Sequence, residues 1–330
     1  MNLALRLGAF AVLAAGLTGV GLWVRGGTDT TASTVVSRFH SAEQCRTCHQ
    51  DVYDEWTGSH HQIAFLNPEV RKLSEDFRNK ECQACHLPRP VSLTGYGQRV
   101  LPRDTHPNEG VSCLTCHLSV DGEILGRNSV PSAPCAPKAS PEMVSVDMCQ
   151  SCHNQHYTTD QWRASRFAKE GKDCAACHMP EVQRQVAQGG TRTGRSHRYL
   201  GAHDEATLRA AGTFLAELQG RELLVSLTND GAGHNMPTEE RHRAYDIMVA
   251  FVDDSGTASE WQRVYRFRQP YRDEPGENTQ LPSGETWSTK VAIPDGTRQV
   301  RARLWYRLTP FVDDQSPMST LLFEREVTVP

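Results

Sequence analysis

Ten of the chain's eleven cysteines fall in five copies of one pattern, two cysteines separated by two residues with a histidine directly after the second. The copies are Cys45 and Cys48 with His49, Cys82 and Cys85 with His86, Cys113 and Cys116 with His117, Cys149 and Cys152 with His153, and Cys174 and Cys177 with His178. Two thiolates at that spacing also suit a zinc knuckle, a redox dithiol or part of an iron–sulfur site. The fixed histidine decides, because zinc has no use for an imidazole after every second cysteine. In C-x-x-C-H the thiols form thioethers with the vinyl groups of a porphyrin, and the imidazole is carried beneath the iron as its proximal ligand. The sequence therefore predicts five covalently bound haem c groups. A disulfide framework is set aside, since such frameworks belong to short secreted chains with varied spacings.

The second axial position of each iron separates a conductor from a catalyst. A second histidine closes the iron for electron transfer, whereas an open position binds substrate. Nine histidines lie outside the motifs, namely His40, His60, His61, His106, His156, His197, His203, His234 and His242, and five would close every iron. Cys135 is the odd cysteine. It reads either as an inert buried thiol or as a thiolate ligand that lowers one iron's potential, with His106 or another histidine as the alternative on that iron.

The elements that must carry these groups differ along the chain. Residues 7–24 are uncharged between Arg6 and Arg25, long enough to predict a transmembrane helix, with a cleavable signal as the alternative. That places residues 1–25 as an anchor and 26–38 as a small-residue polar linker. Because c-type attachment takes place outside the cytoplasmic membrane, the rest is expected on its periplasmic side. Residues 39–205 form the expected pentahaem region, with short helices over Ala42–Thr57, Glu69–Asn79 and Thr159–Glu170 and an extended proline-rich run over Pro131–Pro141. The motifs are unevenly spaced, so this is not a solenoid. Residues 206–330 hold no cysteine, and stretches such as "RELLVSLTND", "AYDIMVAFVDD" and "QVRARLWYRL" alternate apolar with polar residues. Six or seven such strands predict an antiparallel β-sandwich. The fold class is thus α plus β and multidomain, with short helices and loops wrapping five haems, then a sandwich, behind a transmembrane helix. Hydrophobic residues make up 38% of the chain, so the porphyrins must supply part of the interior, and a net charge of -4 argues against nucleic acid as a partner.

Over most of residues 41–330 the sequence resembles the multihaem cytochromes c related to the tetrahaem electron acceptor of hydroxylamine oxidoreductase. The resemblance rests on "EWTGSHH", "GVSCLTCH", "DQWRASRFAKEGKDCAACHMP", "SHRYLGAHD" and "GHNMPT". It implies distal ligands at His61, His197, His203 and His234, with no assignment of each to an iron. Two departures stand out: the second W-x-x-S element, Trp162–Ser165, continues with Arg166 and Phe167 and offers no histidine, and Cys135 stands where several similar sequences carry histidine. All five motifs end in histidine, unlike the lysine-ligated catalytic haem of pentahaem nitrite reductases.

The expected function is a membrane-anchored periplasmic carrier that passes single electrons from a membrane donor, such as a quinol-oxidising complex, to a redox-protein acceptor. The alternative is an oxidoreductase acting on a small nitrogen or sulfur oxyanion at an open or His/Cys-ligated iron. A third reading makes the sandwich a docking module that builds an oligomer or larger respiratory complex.

Overall fold

The computed structural model describes residues 35–185, 190–238, 242–271 and 274–330. Each attachment motif occupies about one turn of helix. The last four lie in helices Lys80–His86, Cys113–His117, Val146–His153 and Cys174–His178, and the first begins in helix Glu43–Arg46 and continues as a turn in which the His49 N–H donates to the Cys45 carbonyl. A helix puts residues three and four apart on one face, so both thiols and the imidazole of each motif project together. Helices this short cannot stand on propensity alone. Caps start them: Asn79 accepts from the Glu81 N–H, Ser112 and Thr115 form a capping box, Ser145 accepts from the Asp147 N–H, and Asp173 accepts from the Ala176 N–H.

The intervening helices are shorter than the sequence predicts. Ala42–Thr57 divides into Glu43–Arg46 and Gln50–Trp56, because the first motif interrupts it. Thr159–Glu170 divides into Thr158–Ala164 and Arg166–Lys169 at Ser165, whose backbone is extended. The expected helix Glu69–Asn79 stops at Leu73, and Glu75, Asp76 and Phe77 follow with positive φ. Phe77 is 1% exposed and stacks on Phe65 with ring centroids 4.8 Å apart, so burying that ring turns the chain out of the helix. The proline-rich run is not extended near Cys135: Ala133 N donates to Val130 O and Ala136 N to Ala133 O, two successive turns.

Strands β1 (Leu125–Gly126) and β2 (Lys138–Ala139) pair in parallel, and β3 (Glu181–Gln185) with β4 (Thr191–Arg195) forms a hairpin leading to His197. The C-terminal part holds two antiparallel sheets that share one apolar core. One sheet has the order β5-β6-β9, from β5 (Thr213–Gln219), β6 (Glu222–Thr228) and β9 (Thr286–Ala292). The other has the order β11-β10-β7-β8, from β7 (Ala244–Asp253), β8 (Gln262–Phe267), β10 (Thr297–Arg307) and β11 (Ser319–Thr328). All neighbours in both sheets are antiparallel. Alternation puts Leu223, Val225 and Leu227 of β6 against Ile247 and Val249 of β7 and Val300 and Leu304 of β10, all fully or nearly fully buried. Each such side chain contributes ~1.5–3 kcal/mol by leaving water. On the outer face of the second sheet Asp246, 1% exposed, accepts from Arg266 and from Arg307, and Arg307 reaches on to Asp314.

The expected transmembrane helix and membrane-anchored, periplasmic-side localisation need correction. No helix among the described residues is long and apolar enough to cross a membrane, and the apolar run itself, residues 7–24, lies outside the described residues.

Candidate functional site

All five motif histidines, and every motif cysteine except Cys82, line one cavity of about 2480 Å³. A pocket for a single small ligand spans roughly 300–1,000 Å³, so this space has room for more than one large group. Among the described residues no group of three or more His, Cys, Asp or Glu side chains is placed to hold a bare metal ion.

Three of the motif imidazoles are held in one tautomer. Nδ1 of His86 lies 3.0 Å from the Ala64 carbonyl, that of His117 2.9 Å from Leu125 O, and that of His178 2.5 Å from Leu200 O. A carbonyl can only accept, so Nδ1–H is the donor and Nε2 is left with its lone pair for a metal. The same arrangement recurs outside the motifs at His197, against Arg195 O at 2.9 Å, and at His234, against Asn235 O at 3.1 Å. Burial holds the His197 imidazole down to about 4, with the charges of His117 and Arg184 acting in the same direction. Burial likewise lowers His117 and His49. These rings are neutral near pH 7, the state in which imidazole binds metal.

Three histidine pairs stand at one spacing. His61 and His153 have ring centroids 6.1 Å apart, His117 and His197 6.4 Å, and His178 and His234 6.2 Å. Direct stacking would bring rings closer. Two imidazoles bound through Nε2 to opposite sides of one metal, at about 2 Å each, stand roughly 6.3 Å apart centre to centre. His203 behaves differently: it stacks on His60 at 3.7 Å and 18°, which leaves no room for an ion between them. Burial, then the neighbouring His60 and Arg243, lowers His203 to about 4. Cys135 is half-buried and lines the same cavity, as does His156, while His40 and His106 are exposed. His242 lies against Tyr271, with ring centroids 4.9 Å apart.

Local structure aims each distal histidine. His61 follows helix Gln50–Trp56; the Trp56 indole N–H donates to Val111 O, and the Val111 N–H donates to the His61 carbonyl at 2.8 Å. Gly110 makes that approach feasible: with φ of 41°, a Cβ there would stand 2.3 Å from His61 O. His197 leaves β4, and its N–H donates to Glu55 at 2.7 Å. His234 comes from the loop between β6 and β7, so the sandwich reaches back into the haem region. That loop docks on helix Thr158–Ala164, with the Asn235 N–H donating to Gln161 Oε1. A Cβ at Gly233 would meet Trp162 Cδ1 at 3.0 Å, so the bare glycine lets the loop lie flat. Phe167, where the second W-x-x-S element lacks a histidine, is buried beneath the same loop.

Contacts also relate one motif to another. Cys45 and Cys113 lie close enough for each thiol to shift the other's titration, as do Cys149 and Cys174. Cys85 and Cys152 pack on one apolar cluster with Ala84, Val91, Val100 and Met148. Tyr199 rests against both His61 and His197. Neither Tyr199 nor Arg184, which pairs with Glu55 and is 6% exposed, has a local signature in the sequence. Arg184 lines the cavity, and its buried Nε has no hydrogen-bond partner among the described residues. A buried orphan donor on a guanidinium calls for an anion, and a porphyrin propionate is one. The five Cys-x-x-Cys-His turns, the anchored imidazoles, the spacing of the histidine pairs and the buried Arg184 Nε all fit haem c.

Residues 44–118 match the family model described as cytochrome c554 and c-prime. The chain is similar in fold to a penta-heme cytochrome c552 from Thermochromatium tepidum, with a TM-score of 0.67 and 21% identity over 88% of this chain and 99% of that one. A superoxide reductase (1Fe-SOR) from Giardia intestinalis matches 35% of this chain and 95% of its own at 12% identity, and its TM-score of 0.20 carries no argument. No curated protein matches the chain. The family match over the first three motifs, the shared fold and the repeated attachment motifs together support a multihaem c-type cytochrome with haem c as its cofactor.

Proposed function

We propose that this chain binds five haem c groups and relays single electrons between a donor and a redox-protein acceptor. The haems supply one-electron acceptance and release; the protein sets their order, spacing and axial ligands. The observation that carries the reading is the common spacing of His61–His153, His117–His197 and His178–His234, which suits three irons closed by histidine on both faces. An iron closed in this way exchanges electrons and does not bind substrate.

The contacts between motifs give the attachment points an order. The first meets the third through Cys45 and Cys113, the fourth meets the fifth through Cys149 and Cys174, and Tyr199 joins the distal arms of the third and fourth. The second joins the fourth through the cluster shared by Cys85 and Cys152. The route is a line from first to fifth with one branch, the arrangement of a conductor with an additional terminal. The elements similar to the electron acceptor of hydroxylamine oxidoreductase support the same class of function.

Low-temperature EPR of the oxidised holoprotein, with Mössbauer spectroscopy to count coupled irons, tests this. His61→Ala, His197→Ala and His234→Ala are each expected to convert one low-spin iron to high spin. If all three leave the low-spin count unchanged, the ligand reading fails. A high-spin signal in the wild type that shifts with nitrite or sulfite would favour catalysis at an open iron instead.

A further inference from the structure

Tyr199 lies two residues beyond His197, on the short segment between β4 and His203. Its φ is 52°, in the left-handed region that bulky side chains seldom enter. The bend swings the phenol ring into the cavity between two imidazoles. Its centroid is 3.9 Å from that of His61 at 45°, and 5.8 Å from that of His197 at 77°, an edge-to-face contact. These two imidazoles face different motifs, since His61 is opposite His153 and His197 is opposite His117. One ring therefore touches the distal arm of the fourth motif and that of the third.

The backbone of each arm is fixed independently. The His61 carbonyl is tied to Val111, and the His197 N–H to Glu55. Neither tie sets the rotation of the imidazole at the end of the arm. His197 has its Nδ1 bond to Arg195 O for that purpose, and against His61 Tyr199 supplies a ring in close contact.

We propose that Tyr199 is a shared positioning residue that fixes the orientations of the His61 and His197 imidazoles relative to each other, so that the ligand geometries of the third and fourth sites are set together. The proposal rests on the reading of those histidines as axial ligands. Rotation of an axial imidazole about its metal bond changes the ligand field and the potential, so loss of the shared ring moves two sites and spares the others. No electron or proton resides on the phenol in this role; what matters is the ring, and the hydroxyl is dispensable.

The test compares holoprotein Tyr199→Phe, Tyr199→Leu and Tyr199→Met by EPR of the oxidised state and by spectroelectrochemical titration, beside His61→Ala and His197→Ala. Tyr199→Phe is expected to reproduce the wild-type spectrum and potentials. Tyr199→Leu is expected to shift two low-spin signals and two midpoint potentials, the same two that the histidine variants abolish, with the haem content unchanged. Tyr199→Met, which fills the space with an unbranched chain, is expected to behave like Leu and serves if Leu does not assemble. Wild-type signals and potentials in both the Leu and Met variants, a shift at one site alone, or a uniform shift at every site would overturn the proposal. If the histidine variants abolish no low-spin signal, the ligand reading fails and takes this proposal with it.

Discussion

Asn229 directly follows β6, is 0% exposed and holds together the loop that delivers His234. Its Nδ2 donates to the His234 carbonyl at 2.8 Å and to the Leu281 carbonyl at 3.0 Å, and its Oδ1 accepts from the Ala232 N–H at 3.3 Å. Asn229→Ala removes all three bonds. Leu281 O keeps a bond from the Met236 N–H, so its loss is the mildest, whereas His234 O and the Ala232 N–H lose the side chain that served them. At about 1 kcal/mol for each bond the cost is ~3 kcal/mol. At roughly 2 °C per kcal/mol for a chain of this size, the unfolding midpoint of the holoprotein falls by ~6 °C. Since the His234 carbonyl belongs to the residue opposite His178, the low-spin signal of that site should broaden or shift while the other signals stay in place. Asn229→Asp makes the contrast: it keeps an acceptor for Ala232 but turns a carboxylate toward two carbonyls, so its loss is larger than that of Ala. The assays are thermal unfolding followed in the far ultraviolet and EPR of the oxidised protein. A midpoint within ~1 °C of wild type for the Ala variant, or a spectrum disturbed at every site equally, would refute the idea that this side chain carries the loop.

Gly110→Ala would place a methyl group 2.3 Å from His61 O and 2.4 Å from Gln62 O on backbone with φ of 41°. The segment must shift, at a stability cost of about 2 kcal/mol, and the site opposite His153 should lose its low-spin signal; a spectrum identical to wild type would contradict the placement of His61. In the sandwich, burial pushes the Asp246 carboxyl up, but its hydrogen bonds with Arg266 and Arg307 and their charges outweigh this and hold it below the usual carboxylate range. A depressed folded value means that the stabilisation is present above the unfolded carboxylate value and is lost as pH falls through the folded one, so unfolding midpoints should drop below about pH 4. Asp246→Asn should show a smaller drop over that range, and equal slopes in both proteins would count against the network. Haem content by pyridine haemochrome and intact mass should be five per wild-type chain and four in Cys82→Ser/Cys85→Ser, and any other wild-type count overturns the reading of the motifs.

The attachment chemistry was legible because it is local. Two thiols and an imidazole within five residues share a face on a single helical turn, whatever the rest of the chain does. The sandwich core was legible for a similar reason, since Leu223, Val225 and Leu227 alternate with residues of the opposite face along one strand. Where propensity and tertiary demand diverge, the sequence misleads. Thr213–Gln219 contains Leu, Ala and Glu in a helix-favouring mixture, yet it pairs with β6 because Phe214 needs the core. Gln262–Phe267 carries two arginines and a glutamine, the composition of an edge strand, and lies at the edge of its sheet beside β7. Strands β3 and β4 carry one apolar side chain, Val182, so no apolar alternation announces them.

The histidines divide along the same line. Their number and type come from the sequence, and so does the expectation that several close irons from the distal side. Which imidazole faces which motif was decided only by long-range folding: His61 meets His153 across most of the haem region, and His234 reaches His178 only because the loop after β6 docks on helix Thr158–Ala164. His203, which the resemblance implies as a distal ligand, stacks on His60 with ring centroids 3.7 Å apart. The left-handed turn at Tyr199 and the buried Arg184–Glu55 pair have no local signature either, because a side chain's partners are set by what the fold brings against it. A short covalent motif fixes its own geometry through helix periodicity, whereas an axial pair drawn from distant segments exists only after the backbone between them has been ordered.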